Sequence, residues 1–338
     1  MSLPKVSIII VNYNGKILLE KCLESIFKID YDNFEVIVVD NNSTDKTIEF
    51  VTDNYPSIIL LKLNSNKGFA EPNNIAAKIA TGKYLLFLNN DTIVTPNFIS
   101  EMIPIIENDE KIAICQSLLL KPDESVDSSG DFIDHLGVVY NSTKKINDVR
   151  IISSARGASM LIRKNIFDVL EGFDEKFYVS IEDVDLGWRT WMIGYKVVLT
   201  PKSIVYHIGS QTIKTKKPEI AFHGFKNQLS MKITNFEPSL AVRNTLLFFI
   251  QYGFRELKIW FDYKIKGTTK LTATNYETKL AEKPSFRIIF KSIGWIISNP
   301  RYLIAKQRKV NFSRKVSTDT LMKMNIISSK IQRTVMKI

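Results

Sequence analysis

Four apolar runs open the chain, and each of them stops on polar residues. Val6–Val11 (VSIIIV) is continuous and largely β-branched, the pattern of a strand buried on both faces. Glu35–Asp40 (EVIVVD), Ile58–Leu63 and Tyr84–Leu88 (YLLFL) predict three more strands. Between the first two, residues 17–27 carry Leu18, Leu19, Cys22, Leu23 and Ile26 at helical spacing. Ser43 and Thr44 are candidate caps for a helix near 45–54. Pro72 and Gly82 bracket a third helix as first-turn proline and C-terminal cap. Such β–α alternation predicts a mostly parallel sheet with helices on both faces. The pattern holds to about residue 224. Beyond it, residues 226–234, 240–261 and 285–305 read as amphipathic helices broken by Pro238, Pro284 and Pro300. The expected organisation is an α/β domain over 1–224 and a basic helical region over 225–338.

Composition narrows the function classes. A chain of 338 residues, 45% hydrophobic, can bury a large core. Its two cysteines, Cys22 and Cys115, sit in apolar stretches without CxxC spacing, so neither a zinc site nor a disulfide framework is expected, and a reducing compartment is the default. The N-terminus reads as a strand rather than a secretory leader. No uncharged apolar run reaches the length of a transmembrane helix. The expected location is cytoplasmic, peripheral on the cytoplasmic face of the membrane.

Charge is unevenly spread. The net of +11 resolves into 22 Lys and Arg against 6 Asp and Glu over 225–338, and 24 against 29 over the rest. The basic tail and the acidic body face different partners. The tail interleaves Arg243, Arg255, Lys258, Lys264 and Lys266 with Leu246, Phe248, Ile250, Phe254 and Trp260, and Arg287–Lys306 repeats the theme. That mixture is what a helix lying on an anionic membrane surface needs, and such a surface is the expected partner, with packing on protein as the alternative. Confinement of the charge to the tail, without a helix-turn-helix, zinc or RNP pattern, argues against a nucleic-acid partner.

Three strand ends carry the candidate chemistry: Asn12-Tyr13-Asn14-Gly15, Asp40-Asn41-Asn42-Ser43 and Asn89-Asn90-Asp91. In an open α/β sheet these ends share the rim at which ligands bind. The first turn, VNYNGK, has one glycine where a dinucleotide fingerprint needs three, and there is no P-loop. Asp40 can accept the N3–H of a pyrimidine base, Tyr13 offers a stacking face, and Asn66-Lys67-Gly68-Phe69 supplies a turn that approaches a nucleotide closely at Gly68. Taken singly, each also reads as turn or cap chemistry.

The segments VSIIIVNYNG, VIVVDNNSTD, NKGFA, YLLFLNND, GFDEKFYVSIEDVDLGWR and VYHIGS, in this order over roughly residues 4–215, resemble the family 2 glycosyltransferases, in the rhamnosyltransferase-like and galactofuranosyltransferase-like branch. The resemblance implies a GT-A nucleotide-diphospho-sugar transferase fold, a Rossmann-like mostly parallel sheet flanked by helices, followed by a mainly helical C-terminal region. It implies donor binding by Asn12, Tyr13, Asn14, Asp40, Asn42, Asn66, Gly68, Phe69, Asn89, Asn90, Arg156 and Gly157. Asp91 matches the last carboxylate of the family's DxD motif, with Asn89 where the first Asp stands, and His207 matches a histidine of the metal site. The implied cofactor is a divalent cation, Mn²⁺ or Mg²⁺, and Ser210 is a further candidate for a phosphate contact.

Asp183 is assigned as general base, with Glu182 beside it. On the residues alone, Ser180 and Asp183 have nearly the spacing of a capping box, and Asp185 and Arg189 can pair four apart. Asp174 reads as a turn residue; Trp188 and Trp191 suit a sugar platform or the core. The implied reaction is inverting transfer from a UDP- or dTDP-sugar to a hydroxyl of a glycan or lipid-linked saccharide. The alternatives are a polyprenyl-phosphate sugar synthase and a non-catalytic subunit that binds sugar nucleotides.

Overall fold

The computed structural model describes residues 3–209, 217–266 and 286–329. Two compact units emerge: Met1–Asp131 with Asn141–Thr212, and Phe132–Tyr140 with Ile213–Ile338.

The first unit opens with β1 (Val6–Asn12), α1 (Lys16–Ile26), β2 (Phe34–Asp40), α2 (Thr47–Asn54), β3 (Ile59–Lys62), α3 (Ala70–Ile79) and β4 (Tyr84–Asn89). Next come β5 (Thr92–Val94), α4 (Phe98–Asn108), β6 (Ile112–Leu120) and β7 (Val126–Ser128). The chain passes through β8 (Asp131–Asp134) and β9 (Val139–Asn141), and returns with β10 (Arg150–Ile151), β11 (Ser159–Arg163), α5 (Lys164–Val169), α6 (Glu182–Met192) and β12 (Lys196–His207). The sheet order is β10-β12-β6-β11-β4-β1-β2-β3, with β5 paired to β12 and β7 to β6. All of β1 is buried except Val11, which is half-buried, because helices cover both faces. α1 buries Leu19, Cys22, Leu23 and Ile26, the face its spacing predicts.

Parallel register places the polar strand ends together. Asn12 of β1 lies beside Asp40 of β2, and Val11 beside Asn89 of β4. β11 runs antiparallel between β4 and β6, and β12 runs parallel to β6, so His207 ends at the same rim.

Two local expectations are corrected. α2 is not capped by Ser43 or Thr44: Asp45 accepts the Thr47 N–H at 3.3 Å, and the Ser43 hydroxyl is occupied by the Asn14 N–H at 3.0 Å. Gly82 does not cap α3, which stops at an extended Ala80. A Cβ on Gly82 would lie 2.7 Å from the Ser7 nitrogen, so close strand packing is what that glycine serves.

The second unit holds α7 (Lys217–Asn235), α8 (Pro238–Lys266), α9 (Phe286–Ser298), α10 (Pro300–Ser313), α11 (Thr318–Lys323) and β13 (Ile327–Ser328). β13, β8 and β9 form a three-stranded sheet, although strand signals fade in this part of the sequence. The boundary expected after 224 falls inside α7, a continuous helix. Pro238 and Pro300 open helices rather than only breaking them, as a residue without an N–H can at a first turn. Phe225, Leu229 and Phe248 form the apolar centre. Lys232 is fully buried beside them, its Nζ donating to the Leu136 carbonyl at 2.5 Å and lying 4.5 Å from the Phe248 ring centre. Burial pulls its pKa down to about 7, against the opposing charge of Asp134.

Candidate functional site

The rim at the ends of β1, β2 and β4 is an amide network. Asn12 donates to Thr47 Oγ1 at 3.0 Å and accepts from Asn90 Nδ2 at 2.5 Å, joining the first and fourth strand ends. This contact requires Gly15, because a Cβ there would lie 2.4 Å from Asn90 Nδ2. Asn14 accepts the Thr44 N–H at 2.7 Å, in the left-handed conformation (φ 49°) that asparagine tolerates. Asp40 accepts the Ser43 N–H through Oδ2 at 3.0 Å. Its other oxygen, Oδ1, is buried without a hydrogen-bond partner. An orphaned buried carboxylate oxygen is costly, and an imide N–H from a pyrimidine would satisfy it. Tyr13 is half-buried and Asn42 exposed at the same rim. Substituting Gly15→Ala is expected to part Asn12 from Asn90 and loosen the turn after β1, which denaturant titration would register as a lowered midpoint.

The turn after β3 is braced by Asn41, which no sequence pattern marks out from its neighbours. Asn41 donates to Asn66 Oδ1 at 3.1 Å and to the Gly68 carbonyl at 2.8 Å, and accepts from the Lys67 N–H at 2.8 Å. Gly68 has φ 80°, and its missing Cβ would lie 2.3 Å from the Tyr178 carbonyl oxygen. That oxygen accepts the Phe69 N–H at 2.5 Å. Phe69 in turn lies against Gly157, where a Cβ would approach its ring to 2.9 Å.

A chain of charged groups follows. His207 Nδ1 is 3.0 Å from Asp127 Oδ2, and Nε2 is 3.4 Å from Asp91 Oδ1. Arg156 lies 4.0 Å from Asp127 and 3.3 Å from Asp131, so its guanidinium is engaged by carboxylates, while its N–H donates to Gln116 Oε1 at 2.8 Å. Burial lowers the His207 pKa, but Asp127 and Asp91 outweigh it and lift the value to about 9. Burial raises Asp127, and His207 and Arg156 pull it below its ordinary value. Burial lifts Asp131 to about 6 against the Arg156 charge, aided by the nearby charge of Asp183. Neither Asp127 nor Asp131 was singled out in the sequence; the available signal was a pair of carboxylates flanking Ser128-Ser129-Gly130, without periodicity.

These residues fit a divalent cation. Asp127 fixes the imidazole through Nδ1, as carboxylates do behind metal-ligating histidines, and Nε2 then faces the Asp91 carboxylate. Among the described residues no group of three or more His, Cys, Asp or Glu is arranged to hold a metal ion, so the chain would supply at most the two ligands Asp91 and His207. A site completed by diphosphate and water suits Mg²⁺ or Mn²⁺, and the imidazole favours Mn²⁺. The half-buried Asn89 stands at the end of β4, two residues before Asp91. Ser210 lies outside the described residues.

The acidic cluster begins α6. Its N-cap is Ile181, and no side chain caps it, so the capping-box reading of Ser180 and Asp183 fails. The preceding loop holds Tyr178, Ser180 and Ile181 at φ 65°, 74° and 73°. Three left-handed non-glycine residues are unfavourable and mark a constrained segment. Asp183 Oδ2 accepts the Gly157 N–H at 3.0 Å, and Oδ1 accepts the Val184 N–H at 2.8 Å. Burial raises the carboxyl pKa, with Gly157 and Arg156 opposing. Glu182 is raised further, by burial and then by the Asp183 charge, and its Oε2 is buried without a partner. Burial thus disfavours the charged form of both carboxyls, and the neighbouring Asp183 charge adds to this at Glu182.

Asp185 pairs with Arg189 at 2.8 Å, as the four-residue spacing predicts. Arg189 also donates to the Leu170 and Gly172 carbonyls at 2.7 and 2.9 Å. Asp174 accepts the Lys176 N–H at 3.0 Å, a turn role. Trp188 and Trp191 are both buried, and Trp191 donates to the Ile152 carbonyl at 3.1 Å; both belong to the core.

Comparison with known proteins places these features in context. Residues 7–170 match the model described as Glycosyl transferase family 2. The O-antigen biosynthesis protein RfbC of Myxococcus xanthus is 32% identical over 60% of this chain and 17% of its own length. The UDP-Glc:alpha-D-GlcNAc-diphosphoundecaprenol beta-1,3-glucosyltransferase WfaP of Escherichia coli is 39% identical over 31% of this chain and 42% of its own. This chain thus spans less than half the length of either relative. The crystal structure of GalNAc-T7 with UDP, GalNAc and Mn²⁺ aligns at TM-score 0.61 and 16% identity, covering 88% of this chain and 58% of that one. The shared fold is the GT-A type, with a helical region following it.

Proposed function

We propose that this chain, which belongs to glycosyl transferase family 2, moves a sugar from a nucleotide-diphosphate donor to a saccharide hydroxyl with inversion at the anomeric carbon. The observation that carries the reading is the junction at Gly157. The Gly157 N–H holds Asp183 at 3.0 Å, and its α-carbon faces the ring of Phe69 in the donor turn. The base is thereby fixed against the segment that approaches the nucleotide.

Asp40 would receive the base and Tyr13 stack on it, with a UDP- or dTDP-linked donor as the preferred class. The Asn12–Asn90 contact would orient the turn. Asp91 and His207 would hold a divalent cation, which when bound neutralises charge on the leaving diphosphate. Asp183 would take the acceptor proton, with Glu182 kept neutral so that the two carboxyls do not repel. Two lines support a lipid-linked saccharide acceptor: the acceptor in the WfaP name, and the basic second unit, which suits an anionic membrane surface.

Turnover of a donor panel, read as released nucleotide, tests the activity. Calorimetry of UDP-sugar tests the cation. Binding is expected to strengthen with Mn²⁺, and Asp91→Ala is expected to remove that gain. Equal affinity with and without Mn²⁺ in both proteins would return the Asn89-Asn90-Asp91 turn to a structural role.

A further inference from the structure

Most of the large apolar side chains exposed in the described residues belong to the second unit, and α8 carries a continuous stripe of them. Val242, Leu246, Ile250, Phe254, Phe261 and Ile265 recur at intervals of four or seven residues and are each 54–69% exposed. The spacing places them on one side of the helix over about 35 Å. The opposite side holds Ala241, Asn244 and Phe248, all buried, with Phe248 packed on Phe225. α8 therefore has an inner face that is satisfied and an outer face, larger than ordinary scattered exposure, that is not. Gly253, on the outer side, has open space where a Cβ would stand.

We infer that this outer face of α8 inserts in the plane of an anionic lipid bilayer. The inference extends the proposal of a lipid-linked acceptor by naming the surface that meets the lipid. Charge selects the occupant. The tail from 225 onward carries 22 basic against 6 acidic residues, and Arg243, Lys264, Arg287 and Lys291 are exposed on α8 and α9. A second copy of the chain would bring two strongly cationic units together, whereas an anionic leaflet attracts each of them. No helix among the described residues is long and apolar enough to cross a membrane, so α8 lies in the interface rather than through it. Trp260, half-exposed beside the stripe, is of the residue type enriched at that depth.

Flotation of the full chain with vesicles tests this without donor or acceptor, so a failure of the transferase reading would leave the result intact. The chain is expected to float with equimolar phosphatidylcholine and phosphatidylglycerol at low salt, to bind neutral vesicles weakly, and to show Trp fluorescence quenched by brominated lipid. The variant Leu246→Ser/Phe254→Ser/Phe261→Ser alters exposed side chains only. It is expected to lose about tenfold or more in vesicle affinity, with its circular dichroism and donor turnover unchanged. Vesicle binding equal to the wild type would overturn the inference. So would light scattering that shows a wild-type dimer dissolved into monomers by the same variant, which would assign the stripe to a second copy.

Discussion

Asp183→Asn is expected to lower kcat by about 10²–10⁴ while donor affinity is retained, the loss typical of a removed general base. Asn preserves the volume and one accepting oxygen, so the Gly157 N–H can keep its partner. What disappears is the ability to take a proton. The pH profile separates this from a structural effect. Burial holds the Asp183 carboxyl above its ordinary value, and only its ionised form accepts a proton. The wild-type rate should therefore rise with pH along an acidic limb that lies above the ordinary carboxylate range, and the residual rate of the variant should lack that limb. A variant that keeps more than half the activity would reduce Asp183 to a clasp for Gly157.

The largest effect on stability is expected from Arg189→Met. Asp185 has no exposed surface, and Arg189 is its charged partner at 2.8 Å. Removing the guanidinium takes the ion-pair partner at 2.8 Å from a buried carboxylate and two hydrogen bonds from the Leu170 and Gly172 carbonyls. A broken buried pair of this kind costs about 3–5 kcal/mol. Denaturant titration should show the drop as a lower midpoint. The double variant Asp185→Leu/Arg189→Met should recover part of it, because replacing both members by apolar groups removes the uncompensated charge. A loss below about 1 kcal/mol would mean that water reaches Asp185.

The sheet was legible because buried parallel strands leave a direct trace. VSIIIV, EVIVVD and YLLFL are apolar on both faces, and their polar ends fall at one rim through register alone. Asp40, Gly68, Asp91, Asp183 and His207 could be singled out for the same reason: each ends or follows a patterned run, or belongs to a recognisable motif. The bracing residues could not. Asp127 and Asp131 act through His207 and Arg156, which are 80 and 25 residues away in sequence, and no periodicity records such a contact. The loop at Tyr178, Ser180 and Ile181 was equally silent, because no glycine marks its three left-handed residues. Helix caps failed for a related reason. Ser43 has the right chemistry for a cap, but Asn14 competes for its hydroxyl, and a tertiary contact overrides a local preference.

The strand order also sets when the site becomes complete during synthesis. β1 through β4 pair with one another and can assemble as soon as they leave the ribosome, forming the donor rim from residues 12 to 91. Asp183 and His207 lie beyond residue 170, and β12 must return to pair with β6, laid down some 80 residues earlier. At about 5–20 residues per second, the stretch from 170 to 207 takes roughly 2–7 s to emerge. For that interval the nascent chain carries the polar strand ends from 12 to 91 with neither Asp183 nor His207, and until Tyr178 emerges it also lacks the carbonyl that accepts the Phe69 N–H. On the proposed reading, a polypeptide that stops in this stretch should turn over no sugar nucleotide, whatever part of the rim it has folded.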